Sequence, residues 1–189
     1  MSKVQRIVKK QWGWDGDAYE IACAVVADGT SSPAADFIEH LAAGTWPDET
    51  VELPDHAQVR DLHTFKALTK MLASTGRLSK HAFNKLDDGI WELKVGIFRL
   101  SFYDTDGVGG YIAKEGESVI TWDNKKEYPE LPEFDDYIRL GHAFNKRTQR
   151  TETNDLQATQ KVRQEDLHHD EPDNQDEPDK EVDRVDVAG

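Results

Sequence analysis

The sequence predicts an α+β fold: a small antiparallel (mixed) sheet packed by a helical hairpin and a C-terminal helix. Three observations predict it. Four stretches alternate apolar and polar residues at period two, the signature of half-buried strands: Tyr19 to Ala27, Ile90 to Val95, Phe98 to Tyr103 and Tyr137 to Phe144. Between Asp55 and Thr75 the apolar positions Val59, Leu62, Phe65, Leu68, Met71 and Leu72 recur at helical spacing. Two further segments, after Ser32 and after Asn154, begin with residues that cap helices.

Taken in order, residues 1–17 are basic and then Trp-rich, and read as an irregular arm whose Trp12 and Trp14 cover an edge of the core. In the first strand Tyr19, Ile21, Cys23 and Val25 share a face. Asp28-Gly29-Thr30 ends it. Ser32 caps a helix with Pro33 at its first position, Phe37, Ile38 and Leu41 inward and Gly44 as its stop. Asp55, with Gln58 three residues on, forms a capping box for the long helix, which Gly76 ends. Leu78 to Leu86 is a cationic connector. In the hairpin that follows, Trp91, Leu93, Val95, Phe98, Leu100 and Phe102 point to the core. Period two then sends Glu92, Lys94, Arg99, Ser101 and Tyr103 to the other face. In the last strand Ile138, Leu140, His142 and Phe144 share one side. Asn154 starts a helix reaching about Leu167, with Leu156, Ala158 and Val162 inward.

Composition sets the boundaries. At 189 residues, one domain spanning 1–167 is expected, followed by a disordered acidic tail at 168–189. The formal charge of −14 is unevenly spread. The tail carries nine acids against two bases, and the segment 104–136 carries ten against three, so these two account for the whole deficit. Residues 139–163 instead hold six bases and two acids. The single Cys23 cannot pair within the chain, which fits a reducing compartment. The start lacks the apolar core of a signal peptide, and no apolar run is long enough to span a bilayer, so a cytoplasmic protein with no membrane partner is expected. His56 and His63 lack metal-ligand spacing, His168-His169 with its nearby acids offers adventitious binding rather than a designed site, and neither a metal nor a cofactor is expected.

Two stretches carry chemistry. The first runs from Asn84 through Lys85-Leu86-Asp87-Asp88-Gly89-Ile90-Trp91-Glu92-Leu93-Lys94 and on to Phe98-Arg99. The second is Leu140-Gly141-His142-Ala143-Phe144-Asn145-Lys146-Arg147-Thr148, an apolar strand that empties into a basic turn. Together, and in this order, they resemble the phage-derived branch of the RelE/HigB toxin superfamily. There an Asp-Gly-Leu-Trp-Glu-Leu-Arg run is followed by an aromatic-Arg pair and then by Leu-His-Gly-Phe-x-Lys-Lys-Thr. Gly29 to Leu41 is similar to an earlier pattern of the same branch. The resemblance covers about half of the chain and implies a RelE-like fold. It also implies a small endoribonuclease of a type II toxin-antitoxin system that cuts mRNA, with the ribosome and a cognate antitoxin protein as partners. The chain departs from the pattern at Lys94, where relatives carry Arg, at Arg147, where they carry Lys, and in the acidic insertion 104–136, read as an extended hairpin.

RNA cleavage by the neighbouring 2′-OH needs a base for that hydroxyl, an acid for the departing 5′-oxygen and cations for the charge that grows on phosphorus. The resemblance puts Arg99 in the transition-state role. Lys146 follows as a phosphate-contacting catalytic residue, with Glu92, Tyr103 and His142 for proton transfer. Arg147, Lys94, Arg150 and Lys85 are the expected substrate-binding cations. The alternative is a non-catalytic phage or host regulatory protein on the same scaffold, binding a basic partner through its acidic segments.

Overall fold

A computed structural model describes residues 13–47, 52–121, 126–148 and 151–171. The fold is α+β, with a six-stranded mixed sheet, a separate two-stranded hairpin and three helices. The strands are β1 (Trp14–Asp15), β2 (Glu20–Cys23), β3 (Phe83–Lys85), β4 (Trp91–Val95), β5 (Phe98–Thr105), β6 (Glu117–Thr121), β7 (Lys126–Glu130) and β8 (Tyr137–Asn145). The helices are α1 (Pro33–Ala43), α2 (Asp55–Thr75) and α3 (Thr153–Asp170). The main sheet runs β1-β2-β8-β5-β4-β3. All its pairings are antiparallel except β2 with β8, which is parallel. No helix among the described residues is long and apolar enough to cross a membrane.

One face of the sheet carries the core. Ile21, Cys23, Trp91, Leu93, Val95, Phe98, Leu100, Phe102, Ile138 and Leu140 meet Phe37, Ile38 and Leu41 of α1 and Leu62, Phe65 and Leu72 of α2. Phe37 sits at the centre, edge-on to Trp46, Phe65 and Phe98. α1 starts and stops as the sequence predicts: Ser32 Oγ accepts the Ala35 N–H at 3.3 Å, and Gly44 adopts φ 69°. α2 starts differently. Pro54 is its N-cap with no side-chain cap bond, and the expected capping box does not form. Gln58 turns inward instead, accepting the Trp46 N–H at 2.8 Å and donating to the Leu53 carbonyl at 3.2 Å. A buried amide that ties down the preceding loop wins over one that caps its own helix. The arm read as irregular and the cationic connector each contain a short edge strand: Trp14 pairs with Ile21 in β1, and β3 lies inside the connector. Trp12 lies outside the described residues.

The last strand corrects the expected alternation. Leu100 faces Ala143 and Phe102 faces Leu140, so Gly141 and His142 together oppose Ser101 in a β-bulge. Ser101 Oγ accepts the His142 N–H at 2.8 Å, which satisfies the backbone group that the bulge takes out of the ladder. Gly141 makes this possible, because a Cβ there would stand 2.7 Å from Ser101 Oγ. The bulge places Ala143 in the core beside Leu140. His142 and Phe144, expected on the face of Ile138 and Leu140, go to the other side.

That other face is polar, and α3 covers part of it. The inward residues of α3 are Thr159, Val162, Asp166 and Asp170; Val162 is inward as expected, whereas Leu156 and Ala158 are not among the buried residues. The helix starts without a side-chain cap at Glu152 and continues through Asp170, so 168–170 is helix rather than tail. The insertion also differs from an extended hairpin. β5 continues to Thr105, paired with Tyr137, and β6 with β7 forms a sheet of its own. Lys114 fastens the segment to the domain through Asp104 and Asp135, each at 2.8 Å.

Candidate active site

The β4–β5 register builds the site. Glu92 pairs with Ser101 and Lys94 with Arg99, which puts Glu92, Lys94 and Arg99 on the polar face at the hairpin end. Gly96, at φ 55°, makes the tight turn. The basic turn after β8 is brought there by one backbone bond, from Lys146 N–H to the Ile97 carbonyl at 2.8 Å. Asn145, just before it, is anchored by the Trp46 indole N–H at 2.9 Å.

The result is a cluster in which one carboxylate faces three cations. Glu92 is fully buried, and its Oε1 lies 3.5 Å from both Arg99 Nε and Lys146 Nζ, whose side chains are each 13% exposed. Arg99 also donates through Nη1 to the carbonyls of Gly96 and Phe98, at 2.8 and 2.7 Å, so the hairpin backbone aims its guanidinium. Lys94 stands partly buried on the same face. Burial lowers its pKa from the ordinary lysine range; Arg99 and Lys146 lower it further, against the opposing pull of Glu92. Glu92 Oε2 and Arg99 Nε have no hydrogen-bond partner among the described residues. One negative charge among three positive ones leaves a net positive charge that favours an anion.

The other predicted residues divide. His142 lies on the same face, stacked on Phe144 with ring centroids 5.9 Å apart, and its Nε2 is 3.5 Å from Asp155 at the start of α3. Burial lowers its pKa, and Asp155 opposes the shift. Tyr103 is on the face but is corrected as a proton-transfer residue. It is fully buried beneath α3 and its hydroxyl donates to Asp166 at 2.8 Å, so substrate cannot reach it in this arrangement. Glu92, at zero exposure, is likewise shielded from solvent, and its contacts are with Arg99 and Lys146. Lys85 is not part of the cluster. It pairs in register with Trp91, on the core side of the sheet, and forms an ion pair with Glu115. Arg147 is exposed on the turn beyond Lys146. Arg150 lies outside the described residues.

Sequence reasoning missed Phe144, Asp155 and Asp166. The signal was a stripe at helical spacing, Asp155-Thr159-Val162-Asp166-Asp170, whose polarity argued against an inward face until the sheet surface beneath proved polar too. Asp166 accepts from Val25 N–H and from Tyr103 Oη, both at 2.8 Å. Asp166→Ala removes both acceptors in a dry interface and is expected to cost about 2–4 kcal/mol of stability in urea unfolding. A loss near zero would mean that α3 is not fixed at this point. No family model matches the chain, and no curated protein matches it either.

Proposed function

We propose that this chain is a RelE/HigB-like endoribonuclease that cleaves mRNA at the Lys94–Arg99–Lys146 cluster, with the ribosome as its place of action and an antitoxin as its restraint. The observation that carries the reading is the convergence of those three cations around the single buried Glu92, at the open end of a polar sheet face. A sheet packed by a helical hairpin on one side and by a C-terminal helix on the other is in keeping with the RelE-like fold that the resemblance implies.

In this reading the 2′-oxygen attacks its own phosphorus and the 5′-oxygen leaves, giving a 2′,3′-cyclic phosphate and a 5′-hydroxyl. Such a transesterification needs no metal ion. Arg99 and Lys146 take up the charge that grows on the phosphorane oxygens. Lys94 receives the 2′-hydroxyl proton in its neutral form, a form that the downward displacement of its pKa by burial makes more accessible than in an ordinary lysine. In this reading the protonated form of His142 delivers a proton to the leaving oxygen, and Phe144, paired in register with Arg99 and stacked on His142, offers an aromatic surface beside the cations.

Induced expression in a bacterial host, with mapping of RNA 5′ ends, tests the proposal. New 5′-hydroxyl ends within translated regions are expected from the wild type. The alternative is a non-catalytic regulatory protein on the same scaffold. It is favoured by one observation, the burial of Tyr103 beneath α3, and it expects no new ends at all.

A further inference from the structure

A large cleft lies at the other end of the sheet, away from the cationic cluster. It is a cleft of about 960 Å³ between the β6–β7 hairpin and residues 75–80, the segment that leaves α2. Its floor is aromatic, formed by Tyr19, Phe83 and Phe134. Tyr128, half-buried on β7, lies beside Val119 in the register and turns its ring into the cleft from the hairpin side.

The hairpin-side wall continues through Glu130, Glu133 and Asp136, all exposed, and none has an ion-pair partner among the described residues. The opposite wall carries Arg77 and Lys80. Lys80 already shows what the ring accepts: its ammonium sits over the Tyr128 ring at 4.4 Å from the centroid. A flexible exposed lysine held there by ring attraction alone is a weak occupant, because its cost in side-chain entropy is not offset by any buried charge pair.

We propose that this cleft docks a basic segment of a partner protein, in which a lysine or arginine replaces Lys80 on Tyr128 and an apolar side chain rests on the aromatic floor. Three considerations select this occupant. The free carboxylates call for cations. The apolar floor calls for more than a charge. The volume is at the upper end of what a compact ligand fills, and the cleft is open to receive a chain that enters and leaves. A chain of formal charge −14 adds long-range attraction for the same class of partner. The inference does not depend on the RNA-cleavage reading, since it shares no residue with that cluster.

The test uses the full chain and a short labelled peptide that alternates lysine with leucine, followed by fluorescence anisotropy at physiological salt. Binding is expected, with no binding of the matching glutamate–leucine peptide. Tyr128→Ala should weaken binding about threefold to tenfold, the range of a part-desolvated cation–ring contact. Glu133→Gln combined with Asp136→Asn, both exposed and harmless to folding, should weaken it by a similar factor. Lys80→Ala should tighten it, because the internal competitor is gone; a purely structural Lys80–Tyr128 contact predicts loss instead. Competition by spermidine at equal concentration would overturn the proposal in favour of a small-cation site. Equal binding by wild type and Tyr128→Ala would overturn it in favour of unspecific attraction to acidic surface.

Discussion

Arg99→Ala is expected to slow RNA cleavage by about 10²–10³-fold while the protein stays folded, the loss seen when one preorganised donor to a developing oxyanion is removed. On the proposed reading, the geometry of the side chain suits that role. Two backbone carbonyls of its own hairpin fix the guanidinium, so it needs no reorganisation when charge develops on the substrate. Arg99→Lys keeps the charge but loses the fixed fork and should recover only a small part of the rate. Growth arrest on induction should disappear with Arg99→Ala, and single-turnover cleavage with purified protein separates chemistry from binding. A variant that cleaves within a few-fold of wild type would remove Arg99 from the mechanism.

Glu92→Ala should act on stability first. It leaves Arg99 and Lys146, each 13% exposed, without their shared counter-charge and beside Lys94. Breaking one side of a buried ion pair costs about 3–5 kcal/mol, and chemical denaturation would show it as an earlier unfolding midpoint. Glu92→Gln preserves shape and removes the charge. If Glu92 only positions the cations, this variant should bind an RNA oligonucleotide more tightly than wild type and retain cleavage wherever it remains folded. Loss of cleavage by a folded, tightly binding Glu92→Gln protein would instead give Glu92 a direct part in proton transfer.

Much of the scaffold was legible because its signals are local. Ser32-Pro33 and Gly44 bound α1 by backbone chemistry that acts within one turn. The register of β4 on β5 follows from the Gly96 turn, which is why Glu92, Lys94 and Arg99 could be placed on one face from their spacing alone. What escaped was decided by distant parts of the chain. The bulge at Gly141–His142 depends on the Ser101 hydroxyl 41 residues away, and it reverses the faces of His142 and Phe144. In α3 an apolar pattern locates Val162 but not its inward neighbours, because Asp166 and Asp170 are buried against Tyr103, Val25 and Arg139. Tyr103 was selected for its face, correctly, but nothing local announced the helix lying over it. Lys85 shows the opposite error. It was chosen for its charge, and a parity count through its pairing with Trp91 would have put it on the core side.

The account's central claim is that Lys94, Arg99 and Lys146 act as one site for a phosphodiester. Its most direct test is a titration of the protein with a non-cleavable 2′-O-methyl RNA oligonucleotide, followed by nuclear magnetic resonance of the lysine amines and the arginine Nε. The account predicts that the Lys94, Lys146 and Arg99 signals move together along one binding curve, and that Arg99→Ala weakens that curve for all. Saturable binding that leaves these three signals unmoved would contradict it.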